Sequence, residues 1–146
     1  MKKRDLKKVA VFIFIKDGKV LVEKRLKDEV EILNGEYIFP GGGINSEEDL
    51  ETALKREVME ELGIILYKFQ NLAQDLEIIG ANKDVSLHPF LIEEWENEIP
   101  EKILDEDDPL FWVDLEVMLN SKIAPTRKIA KLIEQYLKKK GSEVII

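Results

Sequence analysis

Residues 39–64 read FPGGGINSEEDLETALKREVMEELGI, and this stretch decides the fold. Pro40-Gly41-Gly42-Gly43 breaks whatever precedes it, and the three glycines either make a turn or let backbone approach a ligand closely. Ser46 with Asp49 three residues on resembles a capping box, so a helix is predicted from about Glu47 to Leu62, stopped by Gly63. At about 100° per residue, Glu57, Glu60 and Glu61 cover roughly one third of its circumference beside the apolar stripe Leu54, Val58 and Leu62. Like charges at this spacing repel, and acids near a helix C-terminus oppose the macrodipole. The cluster is therefore either a solvated acidic face relieved by Lys55 and Arg56, or a nest of hard oxygen ligands for Mg²⁺ or a similar ion.

Outward from this helix the chain alternates strands and helices. Val9 to Ile15 is apolar on both faces and reads as a strand covered by other layers. Asp17-Gly18 turns the chain and Lys19 to Arg25 returns it, which explains the N-terminal apolar run better than a secretory signal behind Lys2, Lys3 and Arg4. Glu36 to Phe39 is a short strand, Ile64 to Ile79 holds extended pieces around a polar middle, and Val85 to Trp95 is a strand in which Pro89 suggests an edge or a bulge. Leu110 to Val113 is a further strand after the acidic loop 96–109. Pro125 opens a last helix with the stripe Ile129, Leu132, Ile133, Tyr136 and Leu137. Without repeats or linkers, residues 1–146 are expected to form one α/β domain with a mixed β-sheet.

Composition narrows the function. The chain has no cysteine and a single histidine, His88, which excludes disulfides, thiolate nucleophiles and histidine metal clusters. A net charge of −8 argues against nucleic-acid binding, and no apolar stretch approaches the roughly 20 residues of a membrane helix. A cytoplasmic enzyme or binding module is the working class.

Gly42, five residues, Glu48, seven residues, then Arg56-Glu57-Val58-Met59-Glu60-Glu61-Leu62-Gly63-Ile64 resembles a complete Nudix box, the 23-residue signature of the Nudix hydrolases. The resemblance covers residues 42–64, and Phe39-Pro40-Gly41 resembles the usual approach to the box. It implies an α/β/α sandwich with a mixed β-sheet and water attack on a nucleotide pyrophosphate bond, with Mg²⁺ or Mn²⁺ as cofactor. Carried over by position, Glu57, Glu60 and Glu61 are the metal-binding carboxylates, and Gly41 or Gly42 offers its carbonyl to a metal. Arg56 and Glu48 form the ion pair that orients the helix, and Glu57 deprotonates the attacking water.

Residues 85–98 and 111–115 are similar to the MutT-like branch, whose members clear oxidised nucleoside triphosphates. The resemblance to that branch implies a further acidic metal ligand on the loop a few residues before the later tryptophan, and by distance from Trp112 it falls on Glu106, a solvated acidic loop being the alternative. Arg25 and Gly43 are candidates for substrate contact, while Trp95, Trp112 and His88 read as structural. The resemblance implies hydrolysis of a nucleoside triphosphate, normal or oxidised, to the monophosphate and pyrophosphate. The same residues admit ADP-ribose, another nucleoside diphosphate sugar or a dinucleoside polyphosphate as substrate, or a module that senses a nucleotide without cleaving it. Similar proteins are commonly homodimers, although no exposed apolar stripe here requires one.

Overall fold

The computed structural model describes residues 6–26, 28–99 and 108–143. Nine strands and three α-helices follow in the order β1 (Lys7–Ile13), β2 (Ile15–Lys16), β3 (Lys19–Lys24), β4 (Tyr37–Ile38), β5 (Gly41–Gly43), α1 (Leu50–Leu62), β6 (Ile65–Asn71), β7 (Ile78–Ile79), β8 (Val85–Glu96), β9 (Leu110–Asp114), α2 (Leu115–Leu119) and α3 (Ala124–Glu143). β5, β1, β8 and β6 form a mixed sheet in that order, with β7 also on β8 and only β1–β8 parallel. Beside it stands an antiparallel sheet in which β3 pairs with β2, β4 and β9.

The two-sided apolar pattern of β1 is used on both faces. Ala10, Phe12 and Phe14 pack with Leu54 and Val58 of α1. Val11 and Ile13 pack with Ile129 and Ile133 of α3 and with Met118 of α2, a helix the sequence did not suggest. The predicted mixed sheet between helices is thus present. The chain crosses to the antiparallel sheet at Phe14, whose carbonyl accepts from Leu21 N, and returns at Pro40, whose carbonyl accepts from Phe12 N at 2.9 Å. The Asp17-Gly18 turn takes positive φ at both residues, which suits the twist of a two-residue hairpin.

Three expectations need correction. Gly41–Gly43 is not a mere stop but an edge strand, paired with β1. The helix begins at Leu50, capped by Asp49 Oδ1, which accepts from Thr52 N at 2.7 Å; Ser46 makes no cap. Glu47 lies in the left-handed region at φ +69°, and Glu48 is drawn back to Asn45 N, so helical geometry starts three residues later than predicted. Gly63 does end α1, at φ +67°, donating to Met59 O. Pro89 is at neither an edge nor a bulge. It sits in β8 opposite the gap between β6 and β7, its carbonyl accepting from Leu72 N at 2.8 Å, so its missing N–H interrupts no ladder. Among the described residues no helix is long and apolar enough to cross a membrane.

Candidate active site

Two acidic clusters flank the glycine strand, each organised by an arginine. In the first, helical spacing puts Arg56 beside Glu57 and Glu60, and the loop before α1 returns Glu48 to the same guanidinium. Nε reaches Glu48 Oε2 at 2.8 Å and Nη2 reaches Glu48 Oε1 at 2.9 Å, a two-pronged pair. Nη1 donates to Glu57 Oε1 at 2.9 Å and lies 3.3 Å from Glu60 Oε2, while Nη2 also donates to Gly43 O at 3.0 Å. These bonds to Arg56, with a backbone donor from Asn45, hold the Glu48 carboxyl down to about 2, and its carboxylates push Arg56 up in turn.

β5 explains why three glycines stand here. A Cβ on Gly42 would fall on the Glu57 carboxylate, so the missing side chain is what admits that group against the sheet. A Cβ on Gly41 would fall on the Ala10 carbonyl. The ladder also decides between the two candidate carbonyls. Phe12 N bonds Pro40 O and Ile44 N bonds Lys8 O, so by antiparallel alternation Gly42, opposite Ala10, faces β1, whereas the Gly41 and Gly43 carbonyls face away from it. Gly42 is therefore set aside as a carbonyl donor and Gly41 kept. The Gly43 carbonyl accepts from Arg56, and Gly43 does not line the cavity described below.

The second cluster lies across β5. A cavity of about 460 Å³ opens between the two sheets under α3, lined by Gly41, Val11, Phe39 and Thr126 among others, with Glu23, Arg25 and Asp28. Arg25 Nε lies 3.4 Å from Glu23 Oε1 and 3.3 Å from Asp28 Oδ2, and Nη1 donates to Asp108 Oδ2 at 3.3 Å. Glu23 is only 8% exposed. Burial pushes its carboxyl up to about 7 against the lowering effect of Arg25, with Asp108, Glu61 and Asp28 adding to the rise. Sequence reading missed Glu23. Its signal was an acid ending the apolar run Val20-Leu21-Val22 on a strand predicted to be covered.

Glu61 of α1 thus stands within electrostatic reach of the cavity, while Glu57 and Glu60 turn to Arg56. Glu106 lies outside the described residues. Among those described, no three acidic side chains close into a ready-made metal cage. The donor set nevertheless fits a hard divalent cation. Carboxylates on one helix edge and an outward glycine carbonyl are oxygen ligands, and Mg²⁺ is commonly held by one or two carboxylates, with waters and substrate phosphates completing its shell. Trp95 packs edge-on against Phe14 at 5.1 Å between ring centroids, and Trp112 is half-buried against the same core. His88 pairs with Ser86 Oγ at 3.1 Å, and burial lowers its pKa.

Residues 6–135 match the family model of the NUDIX domain. An 8-oxo-dGTP diphosphatase of Haemophilus influenzae is 30% identical over 137 residues, covering 94% of this chain and 95% of that protein. A protein of the same name from Proteus vulgaris is 34% identical over 106 residues, 70% of this chain and 88% of the other. A third, from Buchnera aphidicola, is 40% identical over 74 residues, 47% of this chain and 59% of its own length. Among solved structures, a MutT NUDIX hydrolase from Burkholderia pseudomallei superposes with a TM-score of 0.70 at 24% identity, covering 89% of this chain and 99% of that one.

Proposed function

Because this chain belongs to the Nudix hydrolase family, a family of divalent-metal-dependent enzymes, we propose that it is a Mg²⁺-dependent pyrophosphohydrolase that cleaves a nucleoside triphosphate to the monophosphate and pyrophosphate. The observation that carries this reading is the Arg56 cluster, with Glu57 seated against Gly42 and a cavity on the far side of the same strand. The relatives named 8-oxo-dGTP diphosphatase support a triphosphate, oxidised or normal, as the substrate class.

Glu57, Glu60 and Glu61 with the Gly41 carbonyl are the groups that would hold the metal, Mn²⁺ being able to replace Mg²⁺. When bound, the ion neutralises phosphate charge and lowers the pKa of water. That neutralisation is needed, since a chain of net charge −8 repels a polyanion. Glu57 Oε1 is held by Arg56, which leaves Oε2 to accept a proton from the attacking water. The water oxygen bonds to phosphorus as the bridging P–O bond breaks, and that bridge oxygen leaves with the departing phosphate group. Glu48 positions Arg56, and Arg56 positions Glu57 and Glu60. Arg25 reaches the cavity and is placed to meet substrate there, although three carboxylates already surround it. The partner is a small nucleotide and not a nucleic acid, and the reaction is placed in the cytoplasm, where nucleotides are kept.

Product analysis tests the reading. The protein is incubated with Mg²⁺ and normal or oxidised nucleoside triphosphates, ADP-ribose or diadenosine polyphosphates, with Glu57→Gln as control. Pyrophosphate plus one monophosphate, lost in the variant and in excess chelator, is the expected result. Cleavage of ADP-ribose or a dinucleotide alone would replace the substrate, and turnover undiminished by chelator would sink the metal chemistry.

A further inference from the structure

Glu23 is a buried carboxyl that the hydrolysis described above does not use. It lines the cavity, and the ion-pair contact of its carboxylate among the described residues is that of Oε1 with Arg25 Nε at 3.4 Å, too poorly aligned to count as a hydrogen bond. Oε2 has no such partner. Arg25 cannot swing away to follow a ligand, because Asp28 and Asp108 hold it at 3.3 Å each. One oxygen of Glu23 is thus anchored while the other is offered to the cavity. Part of the cavity wall is apolar, with Val9 and Val11 of β1, Phe39 and Leu87, while Asn82 and Thr126 add polar groups. Apolar walls suit the faces of a flat ring, and a fixed acceptor between them suits an edge that carries donors.

We propose that Glu23 is the specificity-determining residue of this cavity, accepting hydrogen bonds from two adjacent N–H groups on the edge of a 2-amino-6-oxopurine, the guanine pattern. This rests on the reading of the cavity as the place of the nucleotide base. The chemistry separates the bases sharply. A carboxylate has two acceptor oxygens and no donor. The ring N–H and the 2-amino group of a guanine-type base point the same way and match it. In thymine and uracil the ring N–H is flanked by two carbonyls, and in adenine and cytosine the amino group adjoins a bare ring nitrogen. Each of those edges sets a lone pair against the carboxylate in a site already poor in water, where mismatches are costly.

Calorimetric titration of the full chain at pH 8, above the raised pKa of about 7 so that Glu23 is mainly the carboxylate, with guanosine and inosine 5′-monophosphates reads the residue directly, since inosine lacks only the 2-amino group. Excess chelator keeps metal and turnover out of the measurement. The wild type is expected to favour guanosine by about 10- to 100-fold, and Glu23→Gln to bring the ratio within about 3-fold while inosine affinity stays within about 3-fold. Glu23→Asp keeps the charge but withdraws it by one methylene, and is expected to lose the preference too should the glutamine variant fold poorly. A wild type without preference, no binding of either nucleotide, or a ratio undiminished in the folded variants overturns the proposal. Equal weakening of both nucleotides does the same, because it marks Glu23 as a structural support of Arg25. A preference carried by Glu23 in a protein that cleaves no triphosphate upholds the proposal and overturns the substrate reading instead.

Discussion

Arg56 and Arg25 each gather three carboxylates, yet the two clusters end in opposite electrostatic states. Around Arg56 the partners are Glu48, Glu57 and Glu60, the last with a side chain 57% exposed, and the Glu48 carboxyl is held down to about 2. Around Arg25 the partners are Glu23, Asp28 and Asp108, and the Glu23 carboxyl is pushed up to about 7. Charge composition is the same in both. The side chains are almost equally covered, 10% exposed in Glu48 and 11% in Glu23, so the difference is depth and compensation: Glu48 receives two charge-assisted bonds, whereas Glu23 lies deeper and receives one long contact in return. One arginine therefore gathers carboxylates that would hold a cation. The other fixes a recognition surface whose central acid is ionised only with difficulty.

The sharpest way to separate the two clusters is to remove an acid from the first. Glu57→Gln keeps the shape against Gly42 but removes the proton acceptor and a ligand charge, and turnover is expected to fall by about 10²- to 10⁴-fold. Affinity for the product monophosphate in chelator should be unchanged. If instead binding is lost with activity, the clusters are not independent and the glycine strand does not partition them.

Arg56→Met tests the positioning role in the same cluster. Without the guanidinium, Glu57 and Glu60 lose their shared donor and Glu48 loses its partner, so activity is expected to fall by about 10- to 100-fold, as for other groups that orient ligands. The discriminating readout is the Mg²⁺ concentration for half-maximal rate, which should rise; a fall in turnover at unchanged Mg²⁺ requirement would make Arg56 a substrate contact.

The same contrast accounts for how much of the fold and of the site is legible in the sequence. Arg56, Glu57 and Glu60 are neighbours by helical periodicity, and Glu48 falls within one loop of them, so local spacing and the resemblance together named this cluster. The two-sided burial of β1 and the stripe of α3 were also local patterns, although Leu137 at the end of that stripe is exposed. Arg25 and Asp108 are separated by 83 residues and meet only because β3 pairs with β9, a register that no short-range pattern encodes. Glu23 was hidden for the same reason: a single acid at the end of an apolar strand does not reveal whether its side chain meets water or a cavity. The shift of the α1 start from Glu47 to Leu50 is different in kind. Ser46 and Asp49 were both competent caps, and what decided between them was the tertiary demand of Arg56 on Glu48.

Stability against pH turns the comparison into numbers. Glu23 has a raised pKa, so the folded chain holds its proton more tightly than the unfolded one. Its burial carries no penalty below about 4.5, a growing one as pH rises to about 7, and the full one above. A rise from 4.5 to about 7 corresponds to about 3 kcal/mol as an upper figure. Glu23→Gln is therefore expected to stabilise the metal-free protein at pH 8 by up to about 3 kcal/mol and to be near neutral at pH 4, read from urea midpoints. A variant that is equally destabilised at both pH values would show that the carboxyl is held by the Arg25 contact more than it is penalised by burial.

Glu48 is expected to show the opposite sign and the smallest effect. Its folded pKa is depressed to about 2, so the ion pair with Arg56 stabilises the fold at full strength above about 4.5 and loses that contribution as pH falls toward 2. The comparison is between wild type and Glu48→Gln, with urea midpoints taken from pH 7 down to pH 3. The gap should be constant to about 4.5 and then narrow, while the gap for Glu23→Gln widens in the other direction across the neighbouring range. Because Glu48 lies in the loop before α1, with few neighbours at depth and a partly exposed arginine as its partner, salt should shrink its gap and leave that of Glu23 nearly untouched. If salt instead erases both, the Glu23 carboxyl is hydrated, and desolvation is not what sets the two arginine clusters apart.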